Sequence, residues 1–552
     1  MSALTDQIRR HAGSPKPALL FEDDRYTHGE VLDAAAVRAS IIIDRVRADP
    51  LHIGVLLPNV PEAIFWLEGG LLVGATIVGL NSTRRGAELA ADVAHTDCAA
   101  IMTDAEGADL LRDADIDVTT WVLGSAEYEQ LLRDHAGASL PTIEVPDARR
   151  GVLIFTSGTT SAPKAAMRSH GALAGLAESL IGTWSITGDD VAYNAMPWFH
   201  SNALYHAVFP TIASGSTLAL RSRFSASEFI HDVRTFGATR FNYVGKVLEY
   251  ILATPPQPFD ADNRLRLATG SEASERDIAA FSQRFDVFVY DGFGSTEGGV
   301  AIMRTSDMPR GALGLPPNED TVVMNPETAT ECPRAEFDDE GRLTNAEDAI
   351  GELVNKVGLA TFKGYYKNEE ANAERARDGW YWSGDLGYRD TAGYFYFAGR
   401  GYDWLRVDGE NFAAAPVERI ILRHPDVLLA AAYAVPDPNT GDQMMLALQL
   451  VEGATFDPDA FAAFLDAQRD LGTKWRPRFV RVSTALPTSH TNKLQKVVLR
   501  NEAWLTDDPI WWRPGRETTF VPLTSADVAD LHGAFETAGR AAVAPARGAT
   551  AS

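Results

Sequence analysis

The stretch Gly151-Val-Leu-Ile-Phe-Thr-Ser-Gly-Thr-Thr-Ser-Ala-Pro-Lys164 joins an apolar run to a loop of glycine and hydroxyl-bearing residues. The run at 151–155 predicts a buried strand, because short apolar runs bounded by turn residues are typical of parallel sheets. The loop can wrap backbone N–H groups and hydroxyls around phosphate oxygens, and Lys164 adds a positive charge. A Walker A loop is excluded, because that pattern ends in Gly-Lys-Ser/Thr and here Pro163 precedes the lysine and Ala165 follows it. Taken alone, such a cluster is more often a polar surface turn.

The residues before this loop alternate between apolar runs and longer amphipathic stretches. Runs at 52–57 and 99–103 predict strands, and the stretch that opens at Pro61 predicts a helix between them. Strands separated by helices indicate a sheet layered by helices. The sequence therefore predicts an α/β fold for this part of the chain.

The pattern changes near Arg400. Beyond it, a helix opening at Pro416, with Val417, Ile420 and Ile421 facing inward, is followed by shorter strand and helix patterns. This is typical of a small α+β unit of about a hundred residues. The Ala/Gly/Pro-rich end, after about Ala538, is expected to be disordered. The predicted divisions are 1–399, 400–510 and a tail at 511–552.

Length and charge limit the classes of function. A chain of 552 residues is too long for one compact core. The formal net charge is −25, which repels phosphate backbones and argues against general nucleic-acid binding. A site for a polyanionic ligand must therefore rely on local donors rather than on overall charge.

Cysteine content and hydropathy indicate the compartment. Cys98 and Cys332 are the two cysteines, with no metal-ligand spacing around either, which argues against a disulfide framework and a structural zinc site. Residues 1–16 lack the apolar core of a signal peptide. The least polar stretch, 69–80, is too short to cross a bilayer. We expect a cytoplasmic protein without a membrane span.

Further strings follow the loop in a fixed order: Pro197-Trp-Phe-His200, Gly270-Ser-Glu-Ala273, Asp291-Gly-Phe-Gly-Ser-Thr-Glu297, Trp382-Ser-Gly-Asp385, Gly399-Arg-Gly-Tyr-Asp403, Asp408-Gly-Glu-Asn411 and Leu486-Pro-Thr-Ser-His-Thr-Asn-Lys493. Together with the loop, this set resembles the motifs of the adenylate-forming superfamily, which includes acyl-CoA synthetases, luciferases and the adenylation domains of peptide synthetases. The resemblance covers roughly residues 21–500. It implies a large, multi-sheet N-terminal adenylation domain and a small, mobile α+β C-terminal lid domain.

The resemblance assigns ATP phosphate contacts to the loop. The implied binding residues are Thr156, Ser157, Gly158, Thr159, Thr160 and Lys164. The family usually has glycine where Ser161 and Ala165 stand; both replacements are small residues.

The next two strings are implied to hold the adenine and the α-phosphate. The implied nucleotide contacts are Gly270, Ser271, Glu272, Asp291, Gly292, Phe293, Gly294 and Ser295. Phe293 stands in place of the commoner tyrosine and keeps the aromatic face that stacks on adenine. Thr296 would contact the α-phosphate, and Glu297 would help to hold Mg²⁺. On its own, a glutamate in a Gly-rich turn is more often a solvated side chain.

The later strings carry the ribose, hinge and thiol contacts. Asp385 would bind both ribose hydroxyls, since a carboxylate can accept from two vicinal OH groups. Arg400 would reach the ribose or the α-phosphate. Tyr402 stands at the hinge position, which is usually Asp or Lys. Gly409 would line the tunnel for the pantetheine arm of CoA, where a missing side chain leaves room.

Two residues have implied catalytic roles at the acid. Lys493 would bridge the acid and the α-phosphate as charge develops, although a lysine beyond a proline is otherwise mostly a surface residue. Asn492 precedes it in place of glycine, and asparagine tolerates the left-handed conformation. His200 would line the acyl–thiol channel; a histidine beside two aromatic residues is otherwise often a core residue.

The resemblance implies an AMP-forming acid–thiol ligase that uses ATP, Mg²⁺ and CoA as co-substrate. The pattern is closest to long- and very-long-chain acyl-CoA synthetases and to ligases of steroid side-chain acids, so the predicted substrate is a large hydrophobic acid. Two alternatives stay open: an acyl-AMP ligase that delivers to a carrier protein, and a degenerate member that binds nucleotide or acyl ligand without catalysis. A homodimer is also left open.

Overall fold

The fold was analysed in a computed structural model. It describes residues 2–156, 164–244, 246–273, 275–305, 307–309, 311–338, 343–400, 404–407, 410–438, 442–468, 471, 475–488, 494–515, 519–538, 540–541 and 544–545. These residues form two compact units. Unit 1 comprises Met1–Ala301 and Val357–Tyr381, and unit 2 comprises Ile302–Lys356 and Trp382–Ser552. The domain boundary proposed near Arg400 stays a prediction.

A six-stranded sheet, sheet A, carries the loop strand in unit 1. Its strand order is Thr119–Val122, Ala100–Thr103, His52–Leu56, Thr76–Gly79, Arg150–Phe155 and Ala165–Ser169. All neighbouring strands are parallel except the last pair. The strands predicted at 52–57, 99–103 and 151–155 are confirmed, with Ile53, Ile77 and Val152 in the core.

A seven-stranded sheet, sheet B, completes the sheets of unit 1. Its strand order is Phe288–Asp291, Leu267–Ser271, Arg240–Val244, Val191–Asn194, Thr217–Leu220, Pro17–Phe21 and Asp24–Thr27. The strands are parallel except for the last pair. Ser271 and Asp291 are therefore at the carboxyl ends of adjacent parallel strands, where ligands of open α/β sheets bind.

Helices cover these sheets. They span Ala3–Arg10, His28–Arg45, Pro61–Leu72, Gly86–His95, Ala105–Asp113, Ala126–Asp134, His170–Trp184, Ser201–Ala203, Phe209–Ser214, Phe229–Phe236, Lys246–Leu252, Glu275–Phe285 and Glu369–Arg375, with a π-helical turn at Leu204–Val208 and a 3₁₀ turn at Gly358–Ala360. His28–Arg45 begins with a capping box between Thr27 and Glu30, which satisfies the free N–H groups of its first turn. Pro61–Leu72 is buried on every side, as expected for a helix that is apolar all round.

Unit 2 contains an antiparallel sheet and a mixed sheet. The first includes Thr321–Met324, Gly351–Asn355 and Phe395–Arg400. It also includes the strand Trp380–Arg389, of which the part from Trp382 onward belongs to unit 2. The second has the order Glu410–Ala413, Trp404–Val407, Asp442–Leu450, Phe479–Ser483, Ile510–Trp512 and Val521–Pro522, with Val427–Pro436 also paired to Asp442–Leu450. Phe293–Gly294 and Ala301–Ile302 are further short strands, and Ala376–Arg377 of unit 1 pairs antiparallel with Trp380 and Tyr381.

The helices of unit 2 span Ala346–Ala349, Ala414–Ile421, Pro458–Ala467, Lys496–Glu502 and Ser525–Thr537. The helix predicted to open at Pro416 begins two residues earlier, and Val417, Ile420 and Ile421 are buried as predicted. Within the predicted tail, Ser525–Thr537 packs Phe535 into the core of the unit. The disorder expected beyond Ala538 falls mostly outside the described residues.

Hydropathy can also be judged on the folded chain. No helix in the part of the chain that the structure describes combines the length and the apolar character needed to cross a bilayer.

Candidate active site

The base of the phosphate loop is closed by two hydrogen bonds. The backbone N–H of Thr156 donates to the Lys164 carbonyl at 2.9 Å, and the Thr156 hydroxyl donates to the same oxygen at 3.3 Å. Phe155 pairs with Ala165 across antiparallel strands, so the residues that flank the loop lie next to each other. Ser157, Gly158, Thr159, Thr160 and Ser161 lie outside the described residues, and their roles stay predictions.

Lys164 lies in a mostly buried position at the end of this loop. Its Nζ is 3.7 Å from Oε2 of Glu374 and 5.9 Å from the centre of the Tyr365 ring. Its side chain is 12% exposed, whereas that of Glu374 is 56% exposed. The lysine therefore faces the 357–381 segment of unit 1.

Glu297 contacts the same segment. The Tyr365 hydroxyl donates to Oε1 of Glu297 at 2.5 Å. Arg168, a buried residue of the strand that follows the loop, donates from Nη1 to the Glu297 carbonyl at 2.8 Å. Burial alone would lower the pKa of the Arg375 guanidinium, but the neighbouring Tyr365 and Glu297 raise it. Glu297 thus lies in a cluster with the phenol of Tyr365 and the guanidinium groups of Arg168 and Arg375.

Thr296 contacts two residues that follow the string Pro197-Trp-Phe-His200. Its Oγ1 lies 2.9 Å from the Ser201 hydroxyl, and its carbonyl accepts a hydrogen bond from the Tyr205 hydroxyl at 2.8 Å. Tyr205 belongs to the π-helical turn, a form that occurs frequently at functional sites. The residues after His200 and the string ending in Glu297 are therefore adjacent in space.

His200 itself begins the short helix that leads into this turn. Its carbonyl accepts from the Leu204 N–H at 3.0 Å, and its ring centre is 4.7 Å from that of Phe199. This position suits either the predicted channel residue or a histidine packed on aromatics. Its role stays a prediction.

The two strings proposed to contact adenine, 270–273 and 291–297, lie next to each other. The N–H of Gly292 donates to the Gly270 carbonyl at 2.9 Å. A Cβ on Gly270 would lie 2.4 Å from the Tyr243 carbonyl oxygen, so only glycine fits there without a shift. Oδ2 of Asp291 accepts from the Tyr243 hydroxyl at 2.9 Å and from the Ala273 N–H at 3.0 Å. The Asp291 carboxylate therefore joins the two segments.

The other residues of these strings lie along the same surface. Glu272 has a φ of +70°, which is uncommon for a residue with a side chain. Glu272 and Gly294 are exposed, and Ser271, Phe293 and Ser295 are half-buried. The Glu272 side chain is thus accessible to a ligand, whereas the Ser295 hydroxyl oxygen is buried.

In unit 2, Asp385 and Arg400 are paired residues of adjacent antiparallel strands. The backbone before Asp385 is fixed, because the Gly384 N–H donates to Oε1 of Glu352 at 2.6 Å and the Asp385 N–H donates to the Ser383 hydroxyl at 3.0 Å. The resemblance assigns Asp385 to the ribose and Arg400 to the ribose or the α-phosphate, and both roles stay predictions. The remaining predicted residues, Tyr402, Gly409, Asn492 and Lys493, and the Arg400 side chain lie outside the described part of the structure.

The residues around Glu297 suit magnesium, although they do not form a complete cage. Among the described residues there is no group of three or more His, Cys, Asp or Glu side chains that could hold a metal ion. Mg²⁺ is usually bound through one or two carboxylates, with waters and substrate phosphates completing its shell. One carboxylate at Glu297 and a neighbouring hydroxyl at Thr296 fit that mode.

Sequence reasoning missed four residues that hold this cluster together: Arg168, Tyr365, Glu374 and Arg375. Tyr365 is 68 positions from Glu297, in a stretch without a recognised motif. The sequence feature at this position is the buried segment Gly364-Tyr-Tyr366. From sequence alone it cannot be distinguished from an ordinary core segment.

Comparison with known proteins identifies the class. The chain matches the family described as "AMP-binding enzyme" over residues 4–366 and "AMP-binding enzyme C-terminal domain" over residues 416–493. The chain therefore belongs to the family of AMP-binding enzymes.

Individual relatives agree along nearly the whole length. The chain is 45% identical to steroid-22-oyl-CoA synthetase of Rhodococcus jostii over 539 residues, covering 96% of each chain. It is 46% identical to the medium/long-chain-fatty-acid–CoA ligase FadD17 of Mycobacterium tuberculosis, covering 88% of this chain and 93% of the relative. The crystal structure of ATP-bound MatB from Rhodopseudomonas palustris superposes with a TM-score of 0.79 at 26% identity, covering 91% and 98%. The chain is an AMP-forming acyl-CoA synthetase, an acid–thiol ligase that binds ATP.

Proposed function

We propose that this ligase activates a large hydrophobic carboxylic acid, either a steroid side-chain acid or a medium- to long-chain fatty acid, and transfers it to CoA. The relatives named for those two acid classes are 45% and 46% identical to the chain, which supports the proposal. The observation that carries the adenylation step is the convergence of Lys164 and Glu297 on Tyr365. Cationic and oxygen-donor groups then meet at one place, as transfer to a phosphate requires.

The adenylation step needs positioning and charge neutralisation more than covalent chemistry from the protein. The acid carboxylate attacks the α-phosphate of ATP, pyrophosphate leaves and an acyl-adenylate forms. Lys164 and the loop N–H groups would hold the phosphates, and Thr296 would contact the α-phosphate. Glu297 would hold Mg²⁺, which supplies positive charge to the phosphate oxygens.

Other residues complete the proposed site. The adenine would lie against Gly270, Ser271 and the strand end at Asp291, with Phe293 stacked on the ring. Asp385 and Arg400 would bind the ribose from their paired strands, and Lys493 would bridge the acid and the α-phosphate. In the second step, the CoA thiol would reach the adenylate past Gly409 and His200 and displace AMP.

The same proposal includes the domain organisation and the compartment. The C-terminal lid, 400–510, would carry Lys493 in the first step and Gly409 in the second, which requires a conformational change between them. A cytoplasmic location is supported by two free cysteines, Cys98 and Cys332. A homodimer stays a prediction.

The test is acid-dependent pyrophosphate release with Mg·ATP, with and without CoA, followed by mass detection of the products. The panel contains a steroid-22-oic acid and fatty acids of medium and long chain. Acyl-CoA formation with one of these classes supports the proposal and selects the substrate class. Acyl-adenylate that accumulates although CoA is present contradicts the thiol step and favours a carrier-protein acceptor. Turnover of small acids alone would contradict the proposed substrate class.

A further inference from the structure

We propose that Tyr365 is a positioning residue for the metal site: its hydroxyl occupies one oxygen of the Glu297 carboxylate and orients the other for Mg²⁺. The inference rests on the proposed function, in which Glu297 holds the metal. It adds to that site a tyrosine from the 357–381 segment, which no motif in the sequence assigns.

Tyr365 is a buried residue whose hydroxyl donates a hydrogen bond to Glu297. Its side chain is 1% exposed, and its hydroxyl is 2.5 Å from Oε1 of Glu297. The unperturbed pKa of a tyrosine hydroxyl is about 10. The hydroxyl therefore keeps its proton at neutral pH and donates to the carboxylate. A hydrogen bond to Oε1 leaves the lone pairs of Oε2 for a cation.

The backbone of Tyr365 is fixed on both sides. Its N–H donates to Oδ1 of Asn372 at 2.5 Å, and Nδ2 of Asn372 donates back to the Tyr365 carbonyl at 3.0 Å. Next to it, the Met167 N–H donates to the Gly364 carbonyl at 3.0 Å. Met167 lies on the strand that begins directly after the phosphate loop. The tyrosine thus moves with the strand that anchors the loop.

The same strand holds the main chain of the carboxylate. Arg168, one residue beyond Met167, donates to the Glu297 carbonyl at 2.8 Å. Glu297 is therefore held at its backbone by Arg168 and at its side chain by Tyr365. These two attachments hold the Glu297 backbone and carboxylate to the strand Ala165–Ser169 and to the segment paired with it. Glu297 would hold the metal from this fixed position.

Removing the hydroxyl should release the carboxylate without removing the ring. In Tyr365→Phe the ring can still pack against Phe362, whose centre lies 5.7 Å away. A hydrogen bond to a charged group contributes enough to shift an equilibrium by about tenfold. We expect Tyr365→Phe to weaken binding of Mn²⁺, used in place of Mg²⁺, to the complex of the enzyme with α,β-methylene-ATP by about tenfold.

The measurement is an electron paramagnetic resonance titration of Mn²⁺ against that complex, with thermal unfolding recorded on the same samples. The control is Tyr366→Phe, which removes the neighbouring hydroxyl; that hydroxyl donates to Oδ2 of Asp97 at 2.5 Å. The control variant should bind Mn²⁺ as the wild type does. Glu297→Gln and the double variant with Tyr365→Phe complete a cycle.

The outcomes separate the inference from the function on which it rests. Weaker Mn²⁺ binding in Tyr365→Phe and Glu297→Gln, with a double variant no worse than Glu297→Gln, supports the inference. Normal Mn²⁺ binding in Tyr365→Phe alone overturns the inference and leaves the role of Glu297 intact. Normal binding in Glu297→Gln removes that role and the inference together. Equal losses in Tyr365→Phe and Tyr366→Phe, with equal falls in melting temperature, indicate a structural effect and overturn the inference.

Discussion

If Lys164 holds the phosphates of ATP as proposed, Glu374 would compete with them for the lysine, and replacing Glu374 tests that role. Nζ of Lys164 lies 3.7 Å from Oε2 of Glu374. The substitution Glu374→Gln keeps the shape of the side chain and removes its charge. In this variant the phosphates of ATP no longer have to displace the Glu374 carboxylate from Lys164, so we expect ATP to bind more tightly.

The expected gain is small because solvent screens the pair. The Glu374 side chain is 56% exposed, and exposed ion pairs contribute only about 0.2–1 kcal/mol. Removing that competition should lower the dissociation constant for ATP by about 1.5- to 5-fold. Because the effect is electrostatic, it should shrink as ionic strength rises and the screening length falls.

The assay is calorimetric titration of ATP into the enzyme at low and at high salt. The matched control is Glu370→Gln, an exposed residue of the same helix, Glu369–Arg375. It makes the same change in net charge four residues from Glu374. Unchanged or weaker ATP binding in Glu374→Gln would refute the reasoning, and so would an equal gain in Glu370→Gln, which would indicate a general charge effect.

Three further changes test other parts of the structure. Gly270→Ala should weaken ATP binding and lower the free energy of unfolding by roughly 1–3 kcal/mol, because the new Cβ would lie 2.4 Å from the Tyr243 carbonyl oxygen; ATP titration and urea unfolding measure both, and a wild-type result in both would contradict the close contact. Burial raises the pKa of Glu68 to about 8 from 4.5, so the native state holds a proton that the unfolded state releases, and the contribution of this group to stability is lost as pH rises from about 4.5 to 8. Glu68→Gln should remove this decline and stabilise the protein at pH 8 by roughly 2–4 kcal/mol; parallel pH–stability curves for the two proteins would show that the reasoning is wrong. Lys493→Ala should lower acid-dependent pyrophosphate release by roughly 100-fold or more and leave ATP binding nearly intact, and near-normal release would remove its proposed role.

Local pattern was sufficient for much of the fold. The apolar run before Thr156 predicted a buried strand, and the structure has Arg150–Phe155 in sheet A, parallel to Thr76–Gly79 on one side and antiparallel to Ala165–Ser169 on the other. The inward face of the helix at Val417 was read from its spacing and is buried. Such patterns succeed because burial of one face of a strand or helix is encoded by residues two, three or four positions apart. The start of that helix was placed two residues late, since element ends depend on neighbours that a local pattern does not contain.

The sequence predicted which motifs form the candidate site, but not how their side chains are arranged in space. Resemblance located Thr296 and Glu297, but it contained nothing about the Ser201 and Tyr205 hydroxyls that contact Thr296 from about 90 positions away. Tyr365 was likewise invisible, because a tyrosine in a buried turn looks the same whether its hydroxyl meets a core carbonyl or a functional carboxylate. Side-chain partners of this kind follow from strand order and packing, which no short window of sequence specifies.

By itself, the sequence determined the α/β class, the buried strand before Thr156 and the membership in a ligase family, because motifs and periodicity are local properties of the chain. Only the tertiary structure decided which groups surround those motifs: that Lys164 faces Glu374, that Glu297 accepts a hydrogen bond from Tyr365, and that Asp291 joins two strand ends. These contacts link residues far apart in the chain. They form when the packing of sheets and helices brings the residues together, so they appear only in the folded protein.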